Sequence, residues 1–242
     1  MLRDKLIRIF TVILGFVAFS SVVAFSSPDS GTSISPDEAL RKLMDGNKNY
    51  VGNKLTNATR SDSATRASLA KSQKPYAIIL SCSDSRVPPE IIFDKGLGEI
   101  FVVRVAGNVS DPIVLGSIEY AAEHLGTTLI MVLGHERCGA VRATVDSKGK
   151  STGGENIDAI IKVIASNVKS ATKDCNACKG ESRCVDTKKD EITECVIDAN
   201  TKTVATNLTK KSKILKHLVD EKKIKIVAAK YDLDDGTVTL FE

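Results

Sequence analysis

Two segments of the chain contain side chains that bind transition metals. In the first segment, Cys82 is followed by Asp84 and Arg86. In the second, His135 and Cys138 are three residues apart at the start of a predicted helix. Two thiolates and one imidazole suit Zn²⁺, and three protein ligands leave a fourth position open, as in catalytic zinc sites. A buried thiol pair or a disulfide between Cys82 and Cys138 is the structural alternative.

The residues after Cys82 predict a switch at the fourth position. Asp84 is two residues from Cys82, so its carboxylate can reach the same metal. Arg86 can instead hold that carboxylate in a charge-assisted pair. With Asp84 on Arg86, the metal is open to water, whose pKa zinc lowers toward about 7. With Asp84 on the metal, water is displaced and the site is closed.

The metal-binding segments follow two predicted β-strands. Continuous apolar runs typical of buried strands cover residues 76–80, 100–105, 128–133 and 224–229. Helical patterns alternate with them, at residues 112–125, 138–147, 155–170 and 201–222. This alternation predicts an α/β fold with a mainly parallel four-stranded sheet and helices on both faces. Since ligands bind beyond the carboxyl ends of parallel strands, Cys82 meets His135 and Cys138 if their two strands are neighbours.

Both ends of the predicted domain add elements to this core. A capping box from Ser35 to Glu38 starts a helix, and a second short helix is expected over residues 62–73, which together make an N-terminal helical arm. Two apolar runs within residues 226–241 flank an Asp-Asp-Gly turn and predict a hairpin with an antiparallel C-terminal edge strand. No internal repeat is visible, so residues 35–242 are predicted to form one domain.

The first residues have the pattern of a secretory signal. Basic side chains near the N-terminus precede an uncharged run over residues 9–28. This pattern predicts a signal peptide at residues 1–26, a polar linker at 27–34, and a periplasmic or secreted protein without membrane contact after cleavage. An uncleaved membrane anchor through residues 9–28 is the alternative.

The composition excludes several classes of protein. Hydrophobic residues make up 42% of the chain and charged residues 26%, which is ordinary for a globular protein and excludes disorder and multiple membrane spans. The formal net charge of +4 is small for 242 residues, and both signs are evenly mixed. No nucleic-acid partner is therefore expected.

The metal-binding segments belong to a wider pattern that resembles the β-class carbonic anhydrases. The resemblance covers nearly the whole chain after the predicted signal. It rests chiefly on the segments CSDSRVPPE at 82–90, FVVRVAGN at 101–108, GSIEYA at 116–121 and LGHERCGAV at 133–141. These motifs are specific to that family.

The resemblance implies both a metal site and a reaction. It implies one zinc ion per subunit on Cys82, His135 and Cys138, with Asp84 and Arg86 as a gating dyad and Asp84 as a zinc ligand in the closed state only. The implied reaction is the reversible hydration of CO2 to bicarbonate and a proton by zinc-bound hydroxide. The implied assembly is a homodimer or a higher homo-oligomer.

Two features depart from the family pattern. Some members have an inhibitory bicarbonate site around a tryptophan three residues before the first zinc cysteine, whereas this chain has Ile79 there and no Trp. Most members also lack the Cys-rich insert at about residues 173–198. In an exported protein, its cysteines predict two disulfides, with a structural metal or a redox function as alternatives. The four cysteines are Cys175, Cys178, Cys184 and Cys195.

Two other functions are compatible with the chain. One is a related zinc hydrolase that acts on carbon disulfide or carbonyl sulfide, since such enzymes resemble the same family and share its metal ligands. The other is a non-catalytic zinc or interaction protein whose Cys-rich insert binds a partner. All three predicted ligands and both dyad residues are present, which argues against the non-catalytic protein. The completeness of the match to the hydratase motifs favours the hydratase over the hydrolase.

Overall fold

A central β-sheet carries the predicted site. The computed structural model describes residues 34–174 and 189–242, and the side chains of residues 34–166 and 189–242. The strands are β1 (Ala77–Ser81), β2 (Ile100–Arg104), β3 (Leu129–His135), β4 (Lys225–Tyr231) and β5 (Val238–Leu240). They form one five-stranded sheet in the order β2-β1-β3-β4-β5. Strands β1 to β4 are parallel and β5 is antiparallel to β4, so the predicted fold class is confirmed.

Helices connect the strands and cover both faces of the sheet. In the described ranges they are α1 (Pro36–Val51), α2 (Ser63–Leu69), α3 (Pro89–Ile92), α4 (Pro112–His124), α5 (Gly139–Asp146), α6 (Glu155–Asp174), α7 (Lys189–Lys211) and α8 (Lys213–Asp220). Helix α1 begins where its capping box predicts, because the Ser35 hydroxyl accepts a hydrogen bond of 3.2 Å from the Glu38 backbone N–H. Short 3-10 turns at 57–60 and 106–108 complete the connections.

Strands β1 and β3 are buried on both faces, because their side chains point alternately into two separate hydrophobic cores. Ile79 and Met131 pack with α1, α5, α6 and the first half of α7. Ile78 and Ile130 pack with α4, α8 and the second half of α7. All four side chains are fully buried, and burying each stabilises the fold by about 1.5–3 kcal/mol. This two-sided burial explains why the strands have no polar alternation in the sequence.

The helical region before β4 differs from its prediction. The expected single helix over residues 201–222 is two helices, because Ser212 interrupts the chain and caps α8 by accepting a hydrogen bond of 3.1 Å from the Leu215 N–H. Helix α7 also begins earlier, inside residues 173–198, which the sequence assigned to the Cys-rich insert. Its residues Ile192 and Val196 are one helical turn apart and buried, although charged neighbours obscure that spacing in the sequence.

Several predictions fall outside the described residues. These are the signal peptide at 1–26, all but the last residue of the linker at 27–34, and Cys175, Cys178 and Cys184. Cys195 lies in α7 and is disulfide-bonded. In the part of the chain that the structure describes, no helix is both long and apolar enough to span a bilayer.

Candidate metal centre

The three predicted ligands converge at one edge of the sheet. Cys82 directly follows β1, His135 is the last residue of β3, and Cys138 precedes α5. Strands β1 and β3 are neighbours, as the convergence required. The Sγ atoms of Cys82 and Cys138 are 4.0 Å apart, and all three ligand atoms lie within 4.8 Å of one another. Residues 56 positions apart in the chain therefore form one cluster.

The cluster is buried, and one of its polar atoms has no protein partner. His135 and Cys138 are each 1% exposed, and Cys82 is 5% exposed. The Nδ1 atom of His135 is 2.8 Å from the Glu136 carbonyl oxygen, which accepts its hydrogen and so leaves Nε2 as the lone-pair nitrogen. That Nε2 atom is buried without a hydrogen-bond partner. Such an atom is costly to bury unless a ligand or a metal meets it.

The residues present fit zinc. Two thiolates on a tetrahedral zinc, each about 2.3 Å from the metal, lie roughly 3.8 Å apart, close to the 4.0 Å found here. A disulfide needs an S–S distance of about 2.05 Å, so the alternative of a Cys82–Cys138 disulfide is wrong. Both thiols are free.

Electrostatics at the cluster favour a cation. Hydrogen bonds from the Cys138 thiol and the Gly107 N–H lower the pKa of Cys82 despite burial. The same hydrogen bond to Cys82, together with burial, raises the pKa of Cys138. The pair therefore loses its first proton more readily than an isolated thiol, and the second proton would leave when a cation binds.

Asp84 and Arg86 form a pair beside this cluster. The Arg86 guanidinium donates to both carboxylate oxygens of Asp84, at 3.0 Å from Nε and 2.7 Å from the terminal nitrogen. The Arg86 backbone N–H donates a third hydrogen bond of 2.9 Å. These contacts hold the pKa of Asp84 well below its usual range. The carboxylate is therefore ionised and is oriented by Arg86 in this structure.

Sequence reasoning missed three residues that hold the Cys82 segment in place. The Arg104 guanidinium donates to the carbonyl oxygens of Cys82 and Asp84, at 2.9 and 2.5 Å. The Gly107 N–H donates to Cys82 Sγ at 3.3 Å, and the Asn200 amide donates to the Gly107 carbonyl at 2.9 Å. The position of Arg104 at the carboxyl end of β2 was a usable signal. Asn200 is in α7, 93 residues from Gly107, and no sequence signal pointed to its contact with that turn.

Glycine is strongly favoured at position 107. Its φ is +70°, in the left-handed region that favours glycine. A Cβ there would lie 2.8 Å from Cδ1 of Ile164 and 3.3 Å from Cβ of Ala140. A side chain at this position would therefore strain the turn that offers its N–H to Cys82.

Fold and site together define an α/β protein with a buried Cys₂His cluster, suited to hold a metal ion, at the carboxyl edge of a parallel sheet. A sequence model of the family described as "Carbonic anhydrase" matches residues 77–238. Carbonic anhydrase 2 of Mycobacterium tuberculosis strain H37Rv is 38% identical over 206 residues, which cover 85% of this chain and 92% of the relative. The chain belongs to the carbonic anhydrase family, in its β class.

Solved structures share the fold. The β-carbonic anhydrase of Coccomyxa, solved with acetazolamide, has a TM-score of 0.62 and 26% identity, covering 84% of this chain and 86% of its own. One of the two β-carbonic anhydrases from Sordaria macrospora described as tetrameric has a TM-score of 0.65 and 20% identity, covering 84% and 97%.

The Gly107→Ala substitution tests the turn beside Cys82. We expect it to lower the free energy of unfolding of the metal-free protein by about 1–3 kcal/mol, because the new Cβ is strained and meets Ile164. We also expect zinc to be lost more readily, since the N–H to Cys82 shifts. Denaturant unfolding and zinc retention after dialysis against a weak chelator measure both. The control is Gly154→Ala, where a Cβ makes only ordinary contacts. Equal behaviour of the two variants would contradict this account.

Proposed function

We propose that the chain catalyses the reversible hydration of CO2 to bicarbonate and a proton with one zinc ion per subunit. The ligands are Cys82, His135 and Cys138. The observation that carries the proposal is the buried, unpartnered Nε2 of His135 beside two free thiols. Membership of the carbonic anhydrase family supports it, since CO2 hydration is the family's reaction.

Zinc supplies a Lewis acid that makes hydroxide available near neutral pH. The chain's own residues then orient the reactants. Asp84, ionised and held by Arg86, accepts the hydrogen bond of the attacking oxygen so that a lone pair faces CO2. Oδ2 of Asp84 accepts only one hydrogen bond from Arg86 and keeps a lone pair for this role, whereas Oδ1 already accepts two. Arg86 acts through Asp84, because its guanidinium fixes the carboxylate in one orientation.

A stopped-flow CO2 hydration assay on the zinc-loaded protein tests this function. We expect activity in the wild type and a fall in kcat of roughly 10²–10⁴-fold in Asp84→Asn, because an amide cannot accept from the nucleophile and hold Arg86 in the same way. The control, Asp45→Asn, removes a carboxylate that makes only surface ion pairs and should keep full activity.

Two results would overturn the assignment. An inactive zinc-loaded wild type contradicts the function, and hydrolysis of carbon disulfide without CO2 hydration favours the alternative substrate. Full activity in Asp84→Asn contradicts the role of the dyad.

We propose further that the smallest assembly is a homodimer formed through β2 and α4. Strand β2 is an edge strand, paired only with β1 among the described residues. On α4, Ile113 is 81% exposed and Tyr120 is 46% exposed, two helical turns apart on one face. Gly116 lies between them with open space around it, which leaves room for a close approach. A second copy of this chain is the occupant we propose, and the tetrameric Sordaria relatives support self-association.

Sedimentation velocity with two matched variants tests the dimer. Ile113→Glu should raise the dimer Kd by roughly 100-fold, since burying an unpaired carboxylate costs several kcal/mol. Ile157→Glu places the same charge at an isoleucine that is 58% exposed on α6, and it should assemble as the wild type does. A monomeric wild type, or equal assembly of both variants, would contradict the proposed surface.

We also propose that the protein is exported and that the Cys-rich insert is closed by disulfides. Residues 1–26 act as the signal peptide, and residues 35–242 form a single mature domain. The disulfide-bonded state of Cys195 supports pairing within the set Cys175, Cys178, Cys184 and Cys195. Disulfides persist in oxidising compartments such as the periplasm, so export of the protein would allow the disulfides of the insert to form.

N-terminal sequencing and non-reducing peptide mapping of the protein purified from its own cell envelope test this pair of proposals. We expect a mature start near residue 27 and two cystine-linked peptide pairs that separate on reduction. A chain that begins at Met1 favours the anchor through residues 9–28. Free thiols at all four positions, or zinc bound there, contradict the disulfides.

A further inference from the structure

The short loop between His135 and Cys138 has an unfavourable backbone conformation. It consists of Glu136 and Arg137. Arg137 has a φ of +51°. A left-handed conformation costs a non-glycine residue about 1–2 kcal/mol, so other contacts must hold it.

One side chain from a distant helix meets the main chain of this loop. The Arg137 backbone N–H donates a hydrogen bond of 2.8 Å to Oε1 of Glu194, in α7. Because the acceptor is a carboxylate, this bond is charge-assisted and stronger than a neutral one. The Arg137 side chain also contacts Asp234 at 2.8 Å, but both of those side chains are about half or more exposed. The loop backbone is also held at Glu136, whose N–H donates to the Tyr231 carbonyl oxygen at 3.1 Å. Among the described residues, Glu194 is the one whose side chain holds the backbone of Arg137, the residue with the unfavourable φ.

Glu194 is itself held in place. Lys230 Nζ lies 2.7 Å from Glu194 Oε2 and 2.9 Å from an oxygen of Asp198, and the Lys230 side chain is only 19% exposed. Burial opposes the charged lysine, yet the ion pairs with Glu194 and Asp198 raise its pKa. Lys230 is on β4, where it pairs in register with Gly134, the residue before His135. The two Glu194 oxygens thus connect the metal-binding loop to the adjacent strand.

We propose that Glu194 is a positioning residue for the metal centre, whose Oε1 fixes the loop that sets the spacing of His135 and Cys138. The inference rests on the zinc site proposed above. Glu194 touches neither ligand and acts through the Arg137 N–H. The same helix supplies Asn200, whose amide holds the Gly107 turn beside Cys82. Helix α7 therefore supports both segments that carry the ligands.

Two substitutions separate the hydrogen bond from the charge. Glu194→Gln keeps the length of the side chain and an acceptor oxygen but loses the charge, while Lys230 retains Asp198. Glu194→Asp keeps the charge but shortens the side chain by one methylene, about 1.5 Å, which withdraws the oxygen from the Arg137 N–H. The control is Glu191→Gln, at an exposed position on the same helix.

The main measurement is the rate at which zinc passes from the loaded protein to an excess of a chromogenic chelator. We expect Glu194→Asp to release zinc about 10–100-fold faster than the wild type, the usual effect of losing a residue that orients metal ligands. Glu194→Gln should stay within about threefold, and Glu191→Gln should match the wild type. The thermal unfolding midpoints of the metal-free variants should remain within a few degrees of the wild type.

Three outcomes would overturn the proposal. They are wild-type release from Glu194→Asp, equal acceleration in the Gln and Asp variants, and faster release matched by an equally destabilised metal-free protein. The second would assign the effect to charge, and the third to the fold alone. A wild type that retains zinc but does not hydrate CO2 would contradict only the proposed function, because release is measured without CO2.

Discussion

The parallel pairing of β1 with β3 is the constraint on which the metal centre depends. Ser81 is paired with Leu133, so the two strands end at the same edge of the sheet and Cys82 meets His135 within two residues of that pair. Sliding one strand by a single residue would turn its side chains to the opposite face and disrupt both cores. The positions of the ligands are therefore as rigid as the packing of the most buried strands.

Polar side chains hold the loops that carry the candidate ligands where these loops leave the sheet. Each loop that carries a ligand leaves the sheet and is held by a side chain from another element. Arg104 of β2 holds the Cys82 carbonyl, Asn200 holds the Gly107 turn, and Glu194 holds the Arg137 N–H. These bonds go to backbone atoms, so they restrict loop conformation without competing with the metal for its ligands.

The cysteines divide by environment and chemistry. Cys82 and Cys138 are free, buried thiols whose separation suits a shared metal ion. Cys195, on a helix that also contacts the metal-binding loop, is disulfide-bonded. A bound metal would protect the first pair from oxidation, because coordination occupies the thiolates.

The sequence by itself determined the fold class and the order of the strands along the chain, and it predicted the three side chains that the structure brings together as a candidate ligand set. Continuous apolar runs indicate strands that are buried on both faces. Cys, His and Asp can be identified as candidate metal ligands from their residue type alone. It did not reveal the roles of Glu194 and Asn200, and it placed the start of α7 too late. No sequence pattern indicates which residue a helical glutamate or asparagine will contact. Asn200, for example, donates its hydrogen bond to Gly107, 93 residues away. Only the tertiary structure decided these contacts, because they depend on how α7 packs against the edge of the sheet.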